Sequence, residues 1–545
     1  MKTTSKDIIF FIFLFIFILL LTYANLMPVR IAGGDISVEL LMAKHIITKG
    51  ELHYFFLGQH YNGASAIQSY LLVPFFLLFG ISSLSTNLLL LLTNIILFIL
   101  LYVIVFMVFN RIIAILSVLF LMFATKAFWA LRLIAHDYIV IFILNIIVFY
   151  FFYKAVIEEG KPKYIILFGL TAAIAYWALE FVIPLLFVMF IFWFIKDKKF
   201  FIRKRFGIFL ASFFIGEIPL IVYNIKHNFA NIKQLFAGTF IHRFICEHNL
   251  LPKTVDFDGR IVEHCKIFGD TKIKSSLPET LETITHSFFG EGISGYIYLS
   301  VFLISIIYIF FLNYTNIKLI FKDLFKLKNS KIEKLKFVEI FVISYLLLYF
   351  LAYLLSGFSD AQHLTPVYPF LAIAMGISFN HFFISQKNKP YSIIGVILIA
   401  LVIISSMISY ISIIKSNPPN MEDESDVIKF LDENKIKYVY TTFFIKWKLI
   451  FQSNEDIIAS CESLCPCNYA YPLYEEIVAQ QNKTALILWD SSLLDGQLKN
   501  HLVEENITFN VFNINSKNIY YNLSPNVIPS DFVQHCKYSD GFPSD

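Results

Sequence analysis

Apolar runs of roughly twenty residues, long enough to cross a hydrocarbon core about 30 Å thick as a helix, recur along the first three quarters of this chain. Such runs leave few alternatives, because in lipid every backbone N–H and C=O must be satisfied within its own segment. They lie near 8–24, 85–109, 111–127, 137–153, 164–177, 180–196, 206–223, 293–312, 337–356, 366–384 and 391–414, about eleven spans in all. Composition agrees: of 545 residues, 57% are hydrophobic and 17% aromatic against 15% charged, unlike a soluble globular chain. The sequence is that of a multi-pass integral membrane protein. The first run also has a signal-peptide layout, with Lys2 and Lys6 before it and Ala24 after it, but a multi-span chain needs no cleaved leader and the run is read as a span.

Short loops rich in lysine and arginine stay in the cytoplasm. That rule places KDKKFFIRKR (196–205), 154–163, the basic loop 318–336 and SQKNK (385–389) inside, together with the N-terminus. The stretches 25–84 and 224–291 and the tail from about residue 416 then lie outside, across a cell or plasma membrane. None of the six cysteines falls in a span or an inner loop: Cys246 and Cys265 share the second outer loop, and Cys461, Cys465, Cys467 and Cys536 are in the tail. That side is oxidising, so disulfides are expected, with Cys246–Cys265 the obvious pair and three connectivities open in the tail. Zinc is the alternative for CESLCPC with His535-Cys536, although the spacing matches no common zinc pattern. The net charge of +4 is small and the basic residues flank apolar runs, which excludes a nucleic-acid partner.

The tail changes character. DVIKFLDENKI has helical periodicity, KYVYTTFF is an extended β-branched and aromatic run, ALILW (485–489) reads as a buried strand, SSLLDGQLKNHLVEEN as a helix and ITFNVFNI as a strand. Alternating helix and strand indicate a small α/β domain, bounded by Asn417-Pro418-Pro419. The expected division is a membrane domain, 1–415, and an extracytoplasmic α/β domain, 416–545. The sequons at Asn482, Asn506 and Asn522 matter only where such sites are glycosylated.

Chemistry is expected in the first outer loop. GGDISVELLMAKHI (33–46) is expected to form a helix too short and polar to span, with Val38, Leu41, Met42, His45 and Ile46 on one apolar face, so it lies along the membrane surface. AIQSYLLVPFFLLFG (66–80), interrupted by Pro74, suits a second interfacial helix. Asp35, between a span and a surface helix, stands at headgroup depth, where the phosphate of a lipid-linked substrate sits. A carboxylate within about 3 Å of a hydroxyl can take its proton as a general base. The departing lipid phosphate needs positive charge or hydrogen-bond donors nearby. Arg30, Lys44, Arg132 and His363 map near the outer surface. Asp35 also has the position of a helix N-cap, with Glu39 four residues on.

Asp137 in RLIAHDYIV, flanked by Arg132 and His136, opens the fourth span and is a second candidate acid, or simply a charge favoured by the helix dipole. Glu180, in the tight turn WALEF, is a third, or a solvated span end. No cofactor is assigned; a divalent cation is a candidate, with His60, Asp35 and Glu39 as ligands, although His53, His60 and Tyr61 also suit a polar interfacial loop. P-loop, Gly-x-Ser-x-Gly, His-Glu-x-x-His and dinucleotide motifs are absent. A secondary transporter is the rival reading, but its site would lie near the midplane, whereas here the acids gather at the outer ends of the spans. A non-catalytic membrane scaffold is a third.

The run from Asp35 to Met42, then AKHI, GQHYNGASAIQSYL and FLLFG, resembles the first outer loop of GT-C membrane glycosyltransferases of the protein-mannosyltransferase type (glycosyltransferase family 39 and its bacterial and archaeal relatives). LTPVYPFLAIAMG (364–376) is similar to the Pro-x-Tyr-Pro stretch that opens a late span in these enzymes, and KYVYTTFFIKWKLIFQSNEDIIAS in the tail continues the likeness. The resemblance implies a mainly α GT-C bundle and inverting transfer of a sugar from a polyprenyl-phosphate donor to a glycan, lipid or protein acceptor outside the cytoplasm, in glycosylation or cell-envelope modification. It makes Asp35 the general base and Asp137 its assistant. Arg30, Glu39, Lys44, His60, Tyr61, Arg132, His136, Glu180 and His363 become substrate-binding candidates. The chain departs from the family pattern at Ile36, where the motif is usually Asp-Glu, and at Gln362-His363, where an arginine often stands; the resemblance therefore does not assign the groups that hold the donor phosphate.

Overall fold

The computed structural model describes residues 12, 16, 34–57, 59–125, 127–129, 138–232, 277–290, 292–325, 332–356, 361–381, 389–416, 423–464 and 471–533. In chain order its principal helices are α1 (Gly34–Lys49), α2 (Gly63–Phe79), α3 (Ser83–Val108), α4 (Arg111–Met122), α5 (Tyr138–Phe152), α6 (Pro162–Ala178), α7 (Ile183–Lys196), α8 (Lys204–Gly216), α9 (Ile218–Lys226), α10 (Gly292–Phe325), α11 (Lys334–Ser356), α12 (Tyr368–Phe379) and α13 (Lys389–Ser416). In the tail they are α14 (Ser425–Glu433), α15 (Phe443–Gln452), α16 (Pro472–Ala479) and α17 (Leu493–Glu504). Five helices are long and apolar enough to cross a membrane: Leu84–Val108, Tyr138–Ile157, Gly295–Asp323, Lys334–Leu354 and Ile393–Ile411. The pair α8 and α9, bent by 52°, makes a sixth if it is one span. Arg111–Met122, Pro162–Ala178 and His363–Phe379 are apolar but shorter. Each expected span from 85–109 onward contains a helix, yet length and composition alone support five crossings among the described residues, or six with the bent pair counted as one, fewer than eleven. The first run lies almost wholly outside them.

The chain divides into two compact units, one of residues 1–24, 61–67 and 89–416, the other of 25–60, 68–88 and 417–545. The first is the helical bundle. Its interior is built from aromatic rings: Phe149 and Phe152 stack on Phe341 at 5.5 Å, and Phe168 meets Phe209 at 4.8 Å and Trp193 at 6.2 Å. Ring pairs of this kind add about 0.5–1.5 kcal/mol each beyond their burial, which matters where lipid on the outside supplies little hydrophobic drive between helices. Asn110 separates α3 from α4 by capping, its side chain accepting from the Ile113 amide at 2.9 Å. Close packing of α12 on α4 requires Gly376, since a Cβ there would stand 2.5 Å from Ser117 Oγ and 3.0 Å from the Ile113 carbonyl.

The second unit joins the first-loop helix α1 to the α/β tail. The tail sheet has the order β2-β1-β3-β5-β4, where β1 is Tyr438–Thr441, β2 Ile458–Ser460, β3 Ala485–Trp489, β4 Thr508–Ile514 and β5 Lys517–Ser524. β1 runs parallel to β2 and β3, and β5 antiparallel to β3 and β4. Val478, Leu486, Leu488, Leu494, Leu498, Leu502 and Tyr520 pack into its core. The run read as extended from 437 to 444 stops at Thr441, and Phe443 opens α15. Burial decides this: Phe443, Trp447 and Ile450, at helical spacing, are all buried, and that outweighs β-propensity. Cys461 is disulfide-bonded. Cys246, Cys265, Cys465, Cys467 and Cys536 lie outside the described residues.

Candidate active site

Asp35 sits half-buried in the first turn of α1, where the partial positive charge of unpaired amides favours a carboxylate. The ten residues that follow, 36–45, are all buried. α1 is therefore enclosed on every side, not laid on a surface by one apolar face. It packs against α15, and Ser69 on α2 donates to the Glu39 carbonyl at 3.1 Å. Glu39 itself is buried.

The last turns of α1 carry a charged network. Lys44 Nζ lies 2.7 Å from Glu455 Oε2 and donates to the Asn454 carbonyl at 3.1 Å. His45, fully buried, has Nδ1 3.2 Å from Glu51 Oε2 and Nε2 3.0 Å from Glu455 Oε1. Lys49 reaches Glu455 at 2.9 Å. Tyr474 donates its hydroxyl to Glu455 Oε1 at 2.5 Å, and Tyr471 donates to Glu51 Oε1 at 3.2 Å. The turn that ends α15 places Asn454 at φ 56° and Glu455 at φ 69°, a left-handed conformation that costs about 1–2 kcal/mol per L-residue. Four partners on the Glu455 carboxylate offset it.

Charge in this network follows from those contacts. Burial pushes the Glu455 carboxyl up, but the hydrogen bonds from His45, Lys44, Tyr474 and Lys49 outweigh it and hold the group below the usual carboxylate range. Burial, then the neighbouring Glu51 charge, pushes the Tyr471 hydroxyl up to about 12. Burial lowers the His53 imidazole, against an opposite pull from Glu51.

Two other candidates, Glu180 and His363, belong to the helical unit. Glu180 opens the short 3-10 turn Glu180–Val182 between α6 and α7. Next to it Phe181 presents its ring edge-on to His363 at 5.1 Å. Tyr349 donates to the His363 carbonyl at 2.8 Å. The Pro-x-Tyr-Pro tyrosine, Tyr368, is fully buried, paired with Thr125 Oγ1 at 2.5 Å and donating to the Phe288 carbonyl at 3.0 Å, so it anchors helices. His60 and Tyr61 lie half-buried in the loop before α2. There Gly63 allows close approach, since a Cβ would stand 2.5 Å from the Trp177 carbonyl. Arg30, Arg132, His136 and Asp137 lie outside the described residues.

Among the described residues, the carboxylate and imidazole groups close enough to share a metal ion are His45, Glu51 and His53, not the trio His60, Asp35 and Glu39 expected from sequence. Glu51, Glu455, Tyr471 and Tyr474 carry no local signal: a loop glutamate, a turn glutamate and two tyrosines acquire a role only through contact with α1.

No protein-family model and no curated protein sequence matches this chain. Solved structures do. The crystal structure of ArnT from Cupriavidus metallidurans bound to undecaprenyl phosphate is similar with a TM-score of 0.62 at 10% identity, over 96% of this chain and 98% of that one; its apo state gives 0.61 at 9%. The Archaeoglobus fulgidus oligosaccharyltransferase in complex with Zn and sulfate is similar with a TM-score of 0.51 at 11% identity, over 93% of this chain and 73% of that one. Over nearly its whole length the chain therefore has a fold like that of ArnT, with a helical bundle and a C-terminal sheet.

Proposed function

We propose that this protein is a glycosyltransferase that moves a sugar from a polyprenyl-phosphate donor to an acceptor on the extracytoplasmic side of the membrane, with inversion. The carrying observation is the likeness over nearly the whole chain to ArnT bound to undecaprenyl phosphate. In the proposed step the acceptor hydroxyl gives its proton to the Asp35 carboxylate as its oxygen bonds to the anomeric carbon. The bond from that carbon to the phosphate oxygen breaks, and the lipid phosphate leaves with the electron pair. Asp137 assists. Glu39, His60, Tyr61, Glu180, Arg30, Arg132, His136 and His363 are the proposed substrate-binding residues, the basic ones serving the lipid phosphate. Lys44 is already paired with Glu455, so its part is to hold α1 and, through α1, Asp35. The location of a divalent cation is not needed for this step.

The test is transfer by the purified protein in detergent from a panel of radiolabelled polyprenyl-phosphate sugars. Asp35→Asn lowers transfer by about a hundredfold or more, as expected for loss of a general base. A loss below about tenfold, with the variant expressed and monodisperse, overturns the assignment. Absence of transfer from every lipid-phosphate donor overturns the reading itself.

A further inference from the structure

We propose that His45, Glu51 and His53 bind one divalent transition-metal ion of the zinc class, leaving a fourth coordination position open. The inference rests on the geometry of the α1 terminus and does not depend on the sugar-transfer reading.

One ligand atom from each of the three residues lies within 4.8 Å of the other two. His45 Nδ1 is 3.2 Å and His53 Nε2 3.8 Å from the same oxygen, Glu51 Oε2. Zinc bonds of about 2.0–2.2 Å to imidazole nitrogen and carboxylate oxygen put the ligand atoms of a tetrahedral site roughly 3.3 Å apart. Two of the three separations, 3.2 and 3.8 Å, lie within about 0.5 Å of that spacing, and the third is no more than 4.8 Å.

Proton placement favours a cation over a simple hydrogen-bonded cluster. With its proton on Nδ1 the neutral His45 ring donates to Glu51 and its Nε2 accepts from Lys49 Nζ at 3.0 Å; with its proton on Nε2, facing Glu455 Oε1 at 3.0 Å, Nδ1 presents a lone pair. That lone pair looks at a carboxylate oxygen, which is also an acceptor. On the other side of Glu51, His53 Nε2 is buried and makes no hydrogen bond, in a side chain only 10% exposed. The Nδ1–H tautomer or a protonated His45 satisfies the His45–Glu51 contact but leaves buried His53 Nε2 without a hydrogen bond. A metal ion satisfies all three atoms at once.

The surroundings are those of a built site. Metal-bound histidines commonly donate their other N–H to a carboxylate, and Glu455 is placed to accept it from His45. Tyr471 holds the second Glu51 oxygen at 3.2 Å. Tyr70 pins the His53 backbone, its hydroxyl accepting from the amide and donating to the carbonyl, each at 3.0 Å. The ion would thus lock the end of α1 to the loop that follows it, with Glu51, one-third exposed, on the open side.

Full-length protein in detergent, stripped with chelator and then equilibrated with zinc and desalted, tests the proposal by metal content. The wild type retains about one zinc per chain, cobalt in its place gives the visible absorption of a four-coordinate ion, and zinc but not magnesium raises the thermal midpoint. His53→Ala and Glu51→Gln lower the affinity by about tenfold or more, whereas His501→Ala on α17 leaves it unchanged. Wild-type protein that holds no stoichiometric zinc overturns the site, and this needs no variant. Equal retention by monodisperse Glu51→Gln and His53→Ala proteins overturns the ligand assignment. Metal content is read without a sugar donor, so failure of the transferase assay leaves this result standing, and the reverse also holds.

Discussion

Lys44 Nζ stands 2.7 Å from Glu455 Oε2, an ion pair between the first-loop helix and the turn that closes the first long helix of the tail sheet domain. Both side chains are largely buried, at 8% and 16% exposure, so the pair is far less screened than one on the surface. Its effect is to set the position of α1. Any chemistry assigned to Asp35, at the other end of the same helix, inherits that placement.

Glu455 serves four partners and Lys44 mainly one, so removal of the two is unequal. Glu455→Gln leaves Lys44 buried without its counter-charge and destabilises by about 3 kcal/mol, in the range for a broken buried pair. Lys44→Met removes one charge-assisted bond and costs about 1.5–3 kcal/mol. Thermal unfolding of the two variants in detergent checks the order; a Glu455→Gln midpoint equal to wild type would show that the network carries no stability.

The same carboxylate makes stability depend on pH. Its pKa is depressed on folding, so its contribution is fully present above the unfolded carboxylate value and is lost as pH falls through the folded value. The gap between wild-type and Glu455→Gln midpoints holds from neutral pH to about pH 5 and narrows progressively below about pH 4. A gap that widens on acidification would contradict the assigned direction.

Within the tail, Lys517 and Glu424 are 1% and 0% exposed, with Nζ 2.8 Å from both carboxylate oxygens. Lys517→Met strands the Glu424 charge and costs about 3–5 kcal/mol. The double change Lys517→Met with Glu424→Leu recovers much of the loss, since an apolar pair of similar volume is often as stable. Chemical denaturation followed by the tail's tryptophan fluorescence separates the two; no recovery in the double variant would show that the pair is worth more than its desolvation.

In the helical unit Gly376→Val is expected to separate α12 from α4. Overpacking of this kind costs about 1–3 kcal/mol, and here the clash is with the Ile113 backbone as well as Ser117. The monodisperse fraction after detergent extraction and the thermal midpoint both fall. Gly207→Ala, where nothing lies within 4 Å of the added carbon, leaves both near wild type.

Local patterns made much of the architecture legible. Apolar runs specify spanning helices because lipid leaves the backbone no other partner, so helices appear within every expected span from 85 onward. ALILW and the amphipathic run after it become β3 and α17, since a short continuous apolar run suits a buried strand and helical period describes a surface buried on one side. That logic weakens where burial is complete. α1, read as one apolar face against a polar one, is closed in from residue 36 to 45, its polar side chains included, and α15 hides inside a run of β-formers.

Partnership between distant residues is a property of topology alone. Asp35, Glu39, Lys44 and His45 could be read as one helix by their spacing, but the Glu455 that meets His45 is 410 positions away, in a turn with nothing in its neighbours to announce it. Glu51 and His53 likewise read as a polar loop until α1 and the tail enclose them. Chain composition decided that this protein lives in a membrane and roughly which segments cross it, because transfer free energy is local and additive. Which charges are paired, and which imidazoles converge, depended on how the chain returns upon itself, because Coulomb and hydrogen-bond energies act over a few ångströms of space and take no account of sequence distance.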